Sequence, residues 1–200
     1  MKQDHFIDKT LVKKALEGNS MAFKTIIINT QGLVIQIIYK MVKNPEDRED
    51  LAQEVYLKVY NKLASFKFNS KLSTWIATIT YNTCLNFLAK KKIPILNIID
   101  KEGKESWDQI DNKIISGTNN EIESYMFKKE SSQVLALEIE KLPPLYKTII
   151  TLYHNKELSY KEIGTITNLP EGTLKNYLYR ARKQLKDSLL LNYKKEDLRT

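Results

Sequence analysis

Two stretches of this chain carry side chains whose types and spacing could do chemistry, and that chemistry is the recognition of a polyanion. Lys67 to Lys92 carries five lysines and no acid. Gly172 to Lys186 carries donors and bases with no acid among them. Covalent chemistry has no comparable support. His5 and His154 are isolated, no Gly-rich loop is placed to cradle a phosphate, and no nucleophile is paired with a base. The acids Glu46, Asp47, Glu49 and Asp50 diverge around a helix and no His joins them, so neither a metal site nor a cofactor is expected.

The elements that must position these residues read as helices. In 200 residues there are only 6 Gly and 5 Pro, and 42% hydrophobic with 28% charged residues is a globular balance. The expectation is an all-α chain of two small helical domains joined by a flexible linker. Leu11, Val12, Ala15 and Leu16 make a short apolar face that stops at Gly18-Asn19. Ser20 opens a pair of helical segments with Phe23, Ile26, Ile27, Leu33, Val34, Ile37, Ile38 and Met41 inside, ended by Asn44-Pro45. Asp47 or a neighbour starts a helix whose interior is Leu51, Val55 and Val59, with Glu54 and Lys58 facing solvent and Leu57 off the apolar stripe. Ser73-Thr74 offers the N-cap of a helix from about Trp75 to Lys92.

No sustained period runs from Ile93 to Glu121, which reads as the linker. A second set of helices follows, with Met126, Val134, Leu137 and Ile139 on one that stops before Pro143-Pro144, and Leu145, Ile149, Ile150 and Leu152 on the next. Charge is distributed unevenly around the net +8. Lys67 to Lys92 holds five lysines and no acid, Lys161 to Lys186 six bases against two acids, and Lys43 to Glu54 five acids against two bases. Two basic surfaces and one acidic helix point to a polyanion and to a separate partner. The single cysteine, Cys84, rules out an intramolecular disulfide and suits a cytoplasmic location. Polar breaks at Asn29, Gln31, Gly32, Gln36 and Lys40 argue against a membrane span, and Met1 to Thr10 lacks a signal-peptide core.

The C-terminal block has the grammar of a helix-turn-helix. Ser159 and Glu162 form a capping box, and Ile163 and Ile166 point inward. Gly164 is small where two helices cross, and Asn168 tolerates the left-handed turn. Pro170 suits the first turn of the second helix, whose buried stripe is Leu174, Leu178, Ala181 and Leu185. Opposite that stripe lie Gly172, Lys175, Asn176, Tyr179, Lys183 and Lys186, with Arg180 and Arg182 on the flanks. Small and polar groups at the N-terminal end can read base edges, and bases farther along can hold phosphates.

With these blocks in order (DLAQEVYLKVYNKLASF, LSTWIATITYNTCLNFL, LPPLYKTIITLY, then LSYKEIG and EGTLKNYLYRARKQL) the chain resembles the short, two-domain extracytoplasmic-function sigma factors of bacterial RNA polymerase. The resemblance implies region 2 over residues 1–92, a linker over 93–121 and region 4 over 122–200. It implies a non-enzymatic subunit that binds core RNA polymerase through Asp50, Gln53, Glu54, Leu57 and Lys58. Phe68, Asn69, Lys71, Lys90 and Lys91 would hold the minus-ten element, and Gly172, Thr173, Lys175, Asn176, Tyr179, Arg180, Arg182 and Lys183 would read the minus-thirty-five element. It also implies promoter DNA and an anti-sigma factor as partners. Asn86 and Ala89 stand where many members have Asp and Arg, Asn168 where Gly is usual, and Tyr177 where Arg is common. A stand-alone helix-turn-helix regulator with a sensing or dimerising N-terminal half is the other class these features fit.

Overall fold

The computed structural model describes residues 2–91 and 133–192, with side chains from residue 8 onward. All described elements are helical. They are α1 (Lys2–Leu16), α2 (Ser20–Met41), α3 (Pro45–Lys62) with a 3-10 turn at Leu63–Ser65, α4 (Leu72–Lys90), α5 (133–141), α6 (Pro144–His154), α7 (Tyr160–Thr167) and α8 (Glu171–Asn192). The expected linker over 93–121, Lys92 and Met126 lie outside the described residues.

The local reasons are short-range. Gly18, at φ +88°, turns the chain between α1 and α2, and the Asn19 side chain accepts from the Ala22 N–H at 3.0 Å. α2 is therefore one helix started by Asn19, where the sequence suggested a pair of segments opened by Ser20. Its Ala22, Ile26, Val34, Ile37, Ile38 and Met41 are buried at helical spacing. Asn44, ahead of Asp47, caps α3 through the Glu46 N–H at 2.9 Å, with Pro45 in the first turn. Arg48 closes the α2–α3 corner by donating to the Val42 carbonyl at 2.7 Å and lying 4.1 Å over the Tyr39 ring.

α4 begins at Leu72, three residues before the expected start, and no side chain of its own caps it. The carboxylate of Asp8 accepts from the Leu72 N–H at 3.0 Å, so α1 supplies the missing partner. Two apolar residues differ from expectation: Leu16 and Leu137 are exposed. α2 is long and apolar enough to cross a membrane, but here it packs against α1, α3, α4 and α6. The two halves touch, with α7 against α4 and α6 against α2, and their buried residues form one continuous apolar cluster.

Candidate nucleic-acid and polymerase interfaces

The acidic helix presents a clean face. Asp50, Gln53, Glu54 and Leu57 are all exposed, at i, i+3, i+4 and i+7 of α3, while Leu51, Val55 and Val59 are buried behind them. Leu57 is 64% exposed amid charges, an apolar group with no packing role in the described chain. Lys58 differs from the solvent-facing reading. Its ammonium lies 2.6 Å from Glu54 Oε1 and donates to Thr83 Oγ1 at 3.2 Å, which ties α3 to α4.

The basic loop after α3 is held from three sides. Phe68 sits at φ +56°, a left-handed conformation unusual for a bulky residue. Its ring packs 4.6 Å from Phe66, and Phe66 lies 5.1 Å from the half-buried Trp75. Lys9 of α1 lies 5.8 Å over Phe68, and Lys9, Val12, Lys13, Leu16 and Glu17 line an open hollow against that ring. Asn69 is exposed. The Lys71 ammonium meets Glu162 Oε1 of α7 at 3.0 Å.

Lys90 and Lys91 stand at the opposite end of α4, about 28 Å from Lys71 at 1.5 Å per residue. Lys91 is bonded to Asp47 at 2.7 and 2.9 Å and lies 4.7 Å over Phe87. The five residues assigned to the minus-ten element thus form two separate groups. Cys84 is fully buried between them in sequence, and burial pushes its thiol up to about 12, so it stays protonated and inert.

The helix-turn-helix follows its local code. Ser159 Oγ accepts from the Glu162 N–H at 3.3 Å while Glu162 Oε2 accepts from the Ser159 N–H at 3.0 Å. Burial pushes the Glu162 carboxyl up, but the Ser159 N–H and hydroxyl and the Lys71 ammonium outweigh it and hold the group below its ordinary value. Asn168 adopts the left-handed region at φ 57°, ψ 33°. A Cβ on Gly164 would stand 3.1 Å from the Leu169 carbonyl oxygen, so the close approach is to the turn itself. Pro170 precedes α8, and its carbonyl accepts from the Leu174 N–H at 2.9 Å.

On α8 the stripe Leu174, Leu178, Ala181 and Leu185 is buried, while Gly172, Lys175, Tyr179, Arg182 and Lys183 are exposed. Thr173, Asn176 and Arg180 are half-buried, on the flank shared with Tyr177. Two bases are steadied by residues that the sequence did not single out. Tyr153 and Tyr160 stack at 5.1 Å, Lys175 lies 5.5 Å over Tyr160, and Arg182 lies 5.4 Å from the Tyr153 ring. Arg182 Nη2 also stands 3.2 Å from His154 Nε2. Burial, then the Arg182 charge, hold His154 below its ordinary value, in the neutral form that can accept that bond. Aromatic residues among bases were the available signal for this ladder. Nothing in the sequence pointed to Asp8 or Lys9.

Two helical modules, one with an acidic exposed face and one presenting a basic helix after a left-handed turn, fit the class of DNA-binding transcription factors. Comparison with known proteins narrows the class. The Sigma-70 region 2 model matches residues 27–93 and the Sigma-70 region 4 model matches residues 132–185. The chain is 32% identical over 181 residues to the ECF RNA polymerase sigma factor SigW of Bacillus subtilis, covering 90% of this chain and 96% of SigW. It is 30% identical over 186 residues to the ECF RNA polymerase sigma-E factor of Escherichia coli, covering 91% and 94%. The chain belongs to the extracytoplasmic-function sigma factors of the sigma-70 family, the subunits that direct transcription initiation.

Solved structures show the same fold. CnrH in complex with the cytosolic domain of CnrY gives a TM-score of 0.60 at 16% identity, covering 94% of this chain and 99% of CnrH. RpoE of Bartonella quintana, solved with the anti-sigma factor NepR, gives 0.57 at 22%, covering 86% and 98%. Family membership sets aside the stand-alone regulator.

Proposed function

We propose that this sigma factor divides its work among three surfaces: the acidic face of α3 for core RNA polymerase, the Phe66–Lys71 loop for the opened minus-ten strand, and α8 for the minus-thirty-five duplex. The observation that carries the reading is the separation of charge by surface. The α3 face exposes Asp50, Gln53, Glu54 and Leu57, whereas α8 exposes Lys175, Arg182 and Lys183. An acidic face repels DNA and suits a basic protein partner, and a basic helix with polar groups in its first turns suits a major groove. Region 2 is assigned to residues 1–92 and region 4 to 122–200. The chain performs no covalent chemistry of its own and acts in the cytoplasm. An anti-sigma factor, of the kind bound by the RpoE relative, is assigned as the regulatory partner.

Run-off transcription with purified core polymerase and a library of promoters tests the reading. Initiation at a defined subset is expected, with Glu54→Lys reducing core binding while circular dichroism stays unchanged. A chain that does not comigrate with core polymerase in gel filtration, where a control sigma factor does, overturns it.

A further inference from the structure

Resting on the minus-thirty-five reading just given, we propose that α8 divides its work across its width and not along its length: Tyr160 and Tyr153 draw Lys175 and Arg182 to one flank as holders of a phosphate strand, and Asn176 and Tyr179, on the centre line, read base edges. Tyr160 and Tyr153 are positioning residues in this scheme and act through the two bases. The sequence pattern alone divides readers from holders along the axis, which would count Lys175, in the first turns, among the groups that reach the bases.

The contacts on that flank are specific. Lys175 Nζ lies 2.7 Å from Glu171 Oε1 and 5.5 Å from the centre of the Tyr160 ring. The Arg182 guanidinium lies 5.4 Å from the Tyr153 ring, and its Nη2 stands 3.2 Å from His154 Nε2. The two rings stack at 5.1 Å with 25° between their planes, so one aromatic rail serves both bases. Lys175 and Arg182 are seven residues apart, about 10.5 Å along the helix and within about 20° of each other around it.

Helical geometry decides what each row can reach. With about 100° per residue, Gly172, Asn176 and Tyr179 fall within about 60° of one another. Lys175 and Arg182 lie about 70° to one side of that row, and Thr173 and Arg180 about 90° to the other. A helix about 10 to 12 Å across nearly fills a major groove about 12 Å wide, so its centre line faces the base pairs and its flanks meet the two backbones. Seating a long, flexible cation on a phosphate costs rotamer freedom, and a ring already beneath it removes part of that cost. The ring is uncharged, so it can stay under Lys175 when a phosphate takes over from Glu171.

Neighbouring substitutions test this on the full chain reconstituted with core polymerase. A randomised minus-thirty-five library is selected at two salt concentrations with wild type, Lys175→Ala and Asn176→Ala. Lys175→Ala should weaken every sequence alike, keep the preferred sequence and lower the salt slope by about one unit. Asn176→Ala should change the preference at one position by about tenfold and keep the slope. Tyr160→Leu should weaken binding about two- to fivefold without changing the preference, and Tyr160→Phe, which keeps the ring face, should bind as wild type does. In the Lys175→Ala background Tyr160→Leu should have no further effect, whereas a merely structural loss would be the same in both backgrounds. Tyr153→Leu, compared with Arg182→Ala in the same way, repeats the test at the other end of the rail. A changed sequence preference in Lys175→Ala, or equal losses from the tyrosine substitutions with and without their bases, overturns the proposal. Failure of the sigma reading has a different signature: the wild-type protein starts no transcription with core polymerase.

Discussion

The two helices that begin nearest the surfaces proposed to face DNA start in opposite ways. α7 is closed by its own residues, Ser159 and Glu162, three apart in sequence. α4 opens on Lys71 with no cap of its own, and Asp8, 64 residues upstream, accepts from its first N–H. The difference teaches where each module keeps its shape. The helix-turn-helix carries its geometry locally and is formed before any DNA arrives. The loop proposed to hold the minus-ten strand, with Phe68 in a left-handed conformation against Phe66 and Lys9, leans on a helix outside itself. The difference fits the proposed roles: a reader of intact duplex profits from a fixed surface, and a loop proposed to receive an unpaired base profits from one that can be released.

The largest effect expected from breaking this comparison comes from the buried stripe of the reading module. Ile163→Ala should cost about 2 to 5 kcal/mol and abolish minus-thirty-five binding. Hydrogen exchange should still show protected amides in α2 and α3, because the first half packs its own core. Simultaneous loss of protection in both halves would mean that the modules are one folding unit and that the local-versus-borrowed contrast is illusory.

Phe68→Ala and Asn69→Ala come next, at about 1 to 3 kcal/mol for each lost stacking partner or base contact. Permanganate reactivity of the minus-ten region should drop while occupancy of an upstream duplex holds. Parallel losses in both assays would assign the loop to general folding.

A direct comparison of the two caps is sharper and smaller. Asp8→Ala and Ser159→Ala should each remove about 0.5 to 2 kcal/mol. Asp8→Ala should impair strand opening, and Ser159→Ala should impair duplex reading, in the same pair of assays. Identical functional profiles for the two variants would show that the caps are interchangeable supports.

The smallest effect is a pH dependence. Because the folded Glu162 carboxyl is held below its ordinary value, its contribution is fully present above that ordinary range and is lost as pH falls through the lowered value. Thermal melts of wild type and Glu162→Gln should therefore converge on acidification and keep a constant separation near neutrality. A separation that instead closes as pH rises would place the sign on another group.

Legibility in the sequence followed contact range. The capping box, the Asn168 turn and the stripe Leu174, Leu178, Ala181 and Leu185 were readable because each is decided within a few residues. Exposure of Glu54 and Leu57 on α3 was readable from helical spacing against Leu51, Val55 and Val59, whereas Asp50 and Gln53 of the same face came from the resemblance. Helix starts failed where the true cap lay one turn earlier, as with Asn44 before Asp47, or on another helix, as with Asp8. Lys58 was assigned to solvent because periodicity does not show that Thr83 of α4 stands within reach of its ammonium. The minus-ten residues were grouped by sequence block, but α4 is long enough to hold Lys71 and Lys90 at opposite ends. The pairing of Lys71 with Glu162 joins two halves of the chain and had no local signature.

The Lys40–Glu140 contact spans one hundred residues of chain, whereas the side-chain ties inside the first half span less: 64 from Asp8 to Leu72, 44 from Asp47 to Lys91 and 26 from Thr30 to Tyr56. Loop-closure entropy rises with that separation, and domains fold in the order in which they leave the ribosome. The first half can complete its core while the second is still being synthesised, and the contact between the halves is the last part of the molecule to form. Newly made protein therefore passes through an interval in which the first half is folded and the second has not yet packed against it.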